Sequence, residues 1–124
     1  MTAPGLSTAN ADLALNAAVG TNAGYVQLHT GDPGSAGTSN VSSVTTRESV
    51  TWGSASAASV SSSSEPAWTS WAGTNGEVVT DVSLWSASSS GTFGLSAALT
   101  ASVTMDTGDS LTLTAITVTM PTAS

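Results

Sequence analysis

Apolar and polar residues alternate with a period of two through most of the chain after Tyr25, and only the segment before it departs from that rhythm. Over residues 6–20 the signals are helical: Ser7 or Thr8 stands as a cap, Leu6 is placed to staple against Ala11, and Gly20 suits a left-handed exit. Leu13 and Ala17 fall on one face. Alanine buries little area, so such a helix is stable only when docked on a larger body, either its own domain or a neighbouring subunit. Strands are expected at residues 25–29, 47–52, 67–71, 78–85, 92–97, 101–105 and 110–120. In the fourth, Val78, Thr80, Val82 and Leu84 share one face while Val79, Asp81, Ser83 and Trp85 share the other, and one of the two faces belongs to the core. In the last, Leu111, Leu113 and Ala115 hold odd positions and Ile116, Val118 and Met120 even ones. A β-bulge near Ala115 and Ile116 would absorb that slip.

Short strands separated by turn-rich connectors predict an all-β fold, an antiparallel β-sandwich or small jelly-roll-like barrel with one short N-terminal helix. Residues 1–22 form the arm that carries the helix, and residues 23–124 form a single β-sandwich domain, which suits a chain of 124 residues. The connectors "GDPGSAGTSN", "SVSSSSEP", "AGTNGE" and "SASSSG" are glycine- or serine-rich and read as polar loops.

Composition narrows the functional classes. Only 7% of residues are charged, Arg47 is the single basic side chain, and eight acids leave a formal charge of -7. Nucleic acid is not an expected partner, because displacing its counterions needs several cations. An anionic membrane surface is excluded on the same ground. Without cysteine there is neither a disulfide nor a thiolate metal site. No basic stretch followed by an apolar one opens the chain, and no apolar run approaches a membrane span, so a soluble protein without a readable address is expected. Serine and threonine make up roughly a third of the residues. Four tryptophans, positive mean hydropathy and the two-residue period nevertheless speak for a folded domain with a hydroxyl-rich surface.

Four constellations could carry chemistry. His29 and Asp32 could be a general base and its carboxylate, but abundant hydroxyls would give any fold a chance nucleophile, and no G-x-S-x-G elbow is present. The plainer reading ends a strand at His29 and uses Asp32 and Pro33 to shape a turn. "DTG" at Asp106 resembles the motif of retropepsin-like aspartic proteases, yet only one strand and a tail follow Gly108. The rival is a tight turn in which Asp106 or Asp109 bonds backbone amides and Gly108 takes a positive φ. Trp52, Trp68, Trp71 and Trp85 could line a sugar platform or fill the core; core is favoured for Trp52 and Trp85. Arg47 is expected to pair with a carboxylate other than Glu48, which points to the opposite face.

The order of segments "YVQLHTGDPGSAGTSNVS", "TRESVTWGSAS", "VVTDVSLWSASSSGTFGLSAAL" and "VTMDTGDSLTLTAITVTM" resembles that of small virion proteins of tailed bacteriophages, especially of actinobacterial hosts, described as head decoration or tail-fibre-like proteins. The resemblance implies a β-sandwich-like domain that assembles on a phage particle, with no catalytic residues to carry over; scattered acids, no D-x-D-x-D-G run and a single histidine separately lead to the expectation of no metal, and no cofactor is expected. Taken with the acidity, it leads to the expectation of a non-enzymatic capsid decoration protein on the outer surface of the head. Its partners would be the major capsid protein and itself, as a homo-oligomer with a trimer favoured. The alternative is a minor tail or tail-fibre component with a host-glycan site around exposed tryptophans.

Overall fold

The computed structural model describes residues 4–123, so residues 1–3 of the expected arm and Ser124 of the expected domain lie outside the described residues. Its first element is α1 (Thr8–Asn22), with Ser7 as cap: the Ser7 hydroxyl accepts the Asn10 N–H at 3.2 Å. The helix continues through Gly20, and Ala23 ends it at φ -136 without a left-handed residue. Val19 and Ala23, both buried, hold the last turn against the core. The face is not the expected one. Ala11, Leu15 and Val19 are buried, whereas Leu13 is 67% exposed. Two polar side chains one turn apart fix the rotation: Asp12 Oδ1 accepts the Ala58 N–H and Asn16 Oδ1 the Ala55 N–H, each at 2.8 Å. Leu6, expected as a staple on Ala11, is 42% exposed and forms a parallel bridge with Thr122.

Among the described residues eight strands follow: β1 (Tyr25–His29), β2 (Glu48–Ser49), β3 (Ser59–Ser61), β4 (Ala67–Trp68), β5 (Glu77–Trp85), β6 (Phe93–Met105), β7 (Leu111–Thr112) and β8 (Thr117–Thr119). Four of them make an antiparallel sheet in the order β2-β1-β5-β6, and two ribbons, β3 with β8 and β4 with β7, supply the other side of the core. The result is a small all-β sandwich with one N-terminal helix; it does not close into a barrel, because β2 and β6 are free edges. Val26, Leu28, Val82 and Leu84 from the sheet meet Val60, Trp68, Leu111 and Ile116 from the ribbon side in one apolar cluster.

Several expected boundaries change where pairing partners decide them. The strand expected at 47–52 shortens to β2, followed by a lone bridge between Trp52 and Ser62. The serine run expected as a loop contributes β3, because Val60 is buried and its neighbours pair with β8. The strands expected at 92–97 and 101–105 are one strand, β6, whose register on β5 jumps where Val79 faces Val103 but Asp81 faces Ala98. That jump moves Val79 into the core and leaves Val78 41% exposed, reversing the face expected at this end of β5. The slip near Ala115 and Ile116 is a break between β7 and β8, not a bulge: the chain crosses there from one ribbon to the other, keeping Leu111, Leu113 and Ile116 buried.

Two backbone positions expose the cost of this packing. Gly94 is the extra residue of a second irregularity, between Leu84 and Trp85, and a Cβ there would run into the carbonyl oxygen of Asn22 at the end of α1. Gly94→Ala is therefore expected to destabilise the fold by about 1–3 kcal/mol in urea denaturation, since main chain cannot swing aside as a side chain would. Ala57 and Ala58 stand at φ 53 and φ 59 in a hairpin turn closed by Ser56 and Ser59, whose reciprocal N–H···O bonds measure 2.8 and 3.0 Å. Such a turn favours asparagine and glycine. Ala57→Gly at this exposed position is expected to raise the urea midpoint, a gain of up to about 1 kcal/mol once the entropy of glycine is subtracted.

Candidate functional site

β1 delivers His29 to the sheet face opposite the apolar cluster, where the register sets it beside Asp81 of β5 and two residue pairs, on the same face, from Ser83. The ring is fully buried. Nδ1 donates to the Ser39 carbonyl at 2.8 Å, because a carbonyl only accepts, and Nε2 lies 2.7 Å from Ser83 Oγ. Ser83 Oγ also accepts the Trp85 indole N–H at 2.7 Å. In the neutral ring the Ser83 hydroxyl donates onward to Nε2, so indole, hydroxyl, imidazole and carbonyl form one directed chain. Asp32 is elsewhere: its Oδ1 accepts the Gly34 N–H at 2.9 Å in an exposed turn. Both ring nitrogens have partners other than that carboxylate. The structure therefore separates the two residues and gives each a place in folding the 31–40 loop over the sheet.

The four indoles do similar work. Trp52, Trp68 and Trp71 donate to the carbonyls of Ala23 at 2.7 Å, Thr46 at 2.9 Å and Thr74 at 3.1 Å. Trp68, Trp71 and Trp85 are 4%, 2% and 7% exposed, so none presents a ring face on which a sugar could stack, and Trp52 is half-buried. Arg47 departs from its expected carboxylate partner. Its guanidinium lies 4.2 Å from the Trp85 ring centroid, and Nη1 donates to the carbonyls of Ala87 at 2.9 Å and Ser90 at 2.7 Å, with Nε on Gln27. Partial burial among neutral partners pushes its pKa down from the ordinary arginine value. The chain's one cation clamps the 86–91 loop onto the sheet.

The "DTG" segment is an exposed turn. Asp109 N donates to the Asp106 carbonyl at 3.0 Å, the Asp109 carboxylate accepts the Asp106 N–H at 2.9 Å, and Gly108 takes φ 91. Trp71 brackets the turn through its own main chain, receiving Gly108 N–H and donating to Asp109 O. Glu77, which no motif singled out, has a comparable part. Its carboxylate accepts the Ser42 hydroxyl and, at 3.2 Å from each oxygen, the Ser43 N–H. Burial alone would push this carboxyl up, but the bonds from Ser42 and Ser43 outweigh it and hold it below the ordinary glutamate value.

What remains for contact with other molecules is surface. The exterior is rich in serine and threonine, and an open groove of about 660 Å³ runs between β6 and residues 111–117, lined by apolar and hydroxyl side chains. The signal for this groove is present in the sequence as two stretches without any charge, 82–105 and 110–124, but their juxtaposition is a property of the fold.

A family model described as Podophage GP4 fiber I protein gp80 matches residues 6–121, and the chain belongs to that family. No curated protein matches it. The protein is accordingly a structural protein of a phage virion, in agreement with the resemblance to tailed-phage virion proteins, and the family description names the fibre rather than the head.

The Glu77 cluster has a measurable consequence. Its folded pKa lies below the unfolded value of 4.5, so its stabilisation is complete above that value and is lost as pH falls through the folded one. Glu77→Gln is expected to lower stability at pH ~7 and to flatten its decline on acidification; urea titrations at neutral pH and near pH 3 measure both changes.

Proposed function

We propose that this member of the fiber I family is a non-enzymatic structural component of a fibre on the phage particle. The match across residues 6–121 carries the reading. The arrangement of side chains supports it: the imidazole, the guanidinium, the four indoles and the carboxylates of Asp12, Asp32, Glu77 and Asp109 are engaged in holding loops. A component that transmits load needs its connectors fixed, and its outer surface needs only to stay hydrated and to fit its neighbours. On this reading its partners are other fibre proteins and further copies of itself. A chain of charge -7, whose one cation is spent internally, has nothing with which to grip packaged DNA or anionic lipid.

Decoration of the capsid exterior is the competing location, with the major capsid protein as partner. Quantitative mass spectrometry of purified virions, normalised to the major capsid protein, together with immunogold labelling, separates the two. A fibre component is expected at low copy number, with label confined to the fibres. Hundreds of copies spread over the shell would return the protein to the head.

A further inference from the structure

The sheet order leaves β6 with β5 on one side and no strand on the other. Among the described residues, no hydrogen bond joins the main chain of residues 93–104 to anything but β5. The end of α1 meets the strand at Gly94; beyond it Ser96, Ala98, Thr100, Ser102 and Thr104 are exposed. Long edge strands of soluble proteins usually carry a lysine, a proline or an inward charge that blocks pairing with another chain, and "FGLSAALTASVTM" has none. Beneath the same edge opens the 660 Å³ groove, with Leu99, Val103, Leu113 and Ile116 among its lining and no charged side chain. The groove is open to solvent, and Leu99 and Val103 stand half-buried along it.

We propose that β6 pairs antiparallel with β6 of a second copy of this chain, about a two-fold axis normal to the sheet, joining the two sheets into one. Electrostatics selects the face. At a charge of -7 two copies repel through most orientations, yet none of the eight acids lies within 82–105 or 110–124, so this edge and the groove below it approach without like-charge contact. The opposite edge is a poorer partner for β6, because β2 is two residues long and contains Glu48. Pairing β6 with itself is isologous: each copy satisfies the other's outward amides and carbonyls, and the association closes at two. The axis also keeps the core faces of the two sheets on one side. The grooves then open onto each other, and Leu99 and Val103 of each copy cover the mouth of the other. The assembly unit is a dimer in place of the trimer expected for a local threefold position, and it holds for a fibre or for any other place on the particle.

Sedimentation velocity of the full chain over a range of concentrations tests this. The protein is expected to sediment as a dimer, and Ser96→Lys combined with Thr100→Lys is expected to sediment as a monomer where the parent is dimeric. Both substitutions lower the net negative charge, so general repulsion cannot be the cause of dissociation. Ser54→Lys, at an exposed position whose neighbours bond to α1 and β3, is expected to leave the dimer intact. Hydrogen exchange on the unsubstituted protein provides a readout that does not depend on the variants folding: protection of amides within 95–104 should rise with concentration while that of α1 does not. A monomer or a trimer at all concentrations, a dimer indifferent to the two lysines, or concentration-independent exchange in β6 overturns the proposal.

Discussion

A main chain that runs through long connectors must find partners for its amides and carbonyls away from any ladder, and here side chains provide them. Three indoles donate to carbonyls of Ala23, Thr46 and Thr74. Carboxylates and amides on Asp12, Asn16, Asp32, Glu77 and Asp109 accept amides of the connectors. Each such bond contributes only about 0.5–1.5 kcal/mol net, but leaving a buried group unpaired costs more than that. No buried side-chain nitrogen or oxygen among the described residues lacks a partner. The sandwich could not keep strands as short as β2, β4 and β7 without these anchors, because a two-residue strand has almost no ladder of its own.

The same constraint explains what several acids do. An ionised carboxylate is a stronger acceptor of backbone N–H groups than a hydroxyl, and Asp12 on α1, Asp32 and Asp109 in turns and Glu77 at the start of β5 each accept amides of the connectors. Arg47 performs the complementary task for carbonyls: one planar group reaches Ala87 and Ser90 while resting on the Trp85 ring. A lysine there would lose the fork and most of the stacking. The buried chain from Trp85 through Ser83 and His29 to Ser39 does for the 31–40 loop what the guanidinium does for the 86–91 loop.

Features governed by local chemistry were legible before the fold was known, and features governed by distant partners were not. Ser7 as a helix cap, β1 at residues 25–29, the end of β5 at Trp85 and the turn at Gly108 all follow from neighbours within a few residues. The rotation of α1 departs from its apolar pattern because it depends on Asp12 and Asn16 reaching amides about forty residues away. The continuity of β6 is not legible in the sequence because residues 99–102 lie where its register on β5 jumps, which no periodicity reveals. Charge suggests a carboxylate for Arg47, whereas its acceptors are carbonyls that any sequence carries. For the candidate site, the separation of His29 from Asp32 was foreseen as a strand end followed by a turn. The part of Glu77 was not, since Ser42 and Ser43 stand more than thirty residues upstream.

Hydroxyls resolve a conflict that the acids create. Strand residues on the outer faces must stay hydrated, and lysine or glutamate would ordinarily do this, but either would spread charge along the strands. Serine and threonine hydrate the surface without charge, and threonine adds the β-branched stiffness that suits strands. They also pair across the ribbons, as Ser61 does with Thr117 at 2.9 Å. β1, β3, β4, β6, β7 and β8 carry no acid, and the field of the acids elsewhere is attenuated at these strands over a screening length of about 8 Å at physiological salt. The exterior is divided accordingly, with acids in turns, on α1 and on β2 and β5, and with neutral faces on the remaining strands where close approach carries no electrostatic cost. Raising the ionic strength weakens the first without touching the second, so the orientation of encounter and the strength of contact are governed by different parts of the same surface.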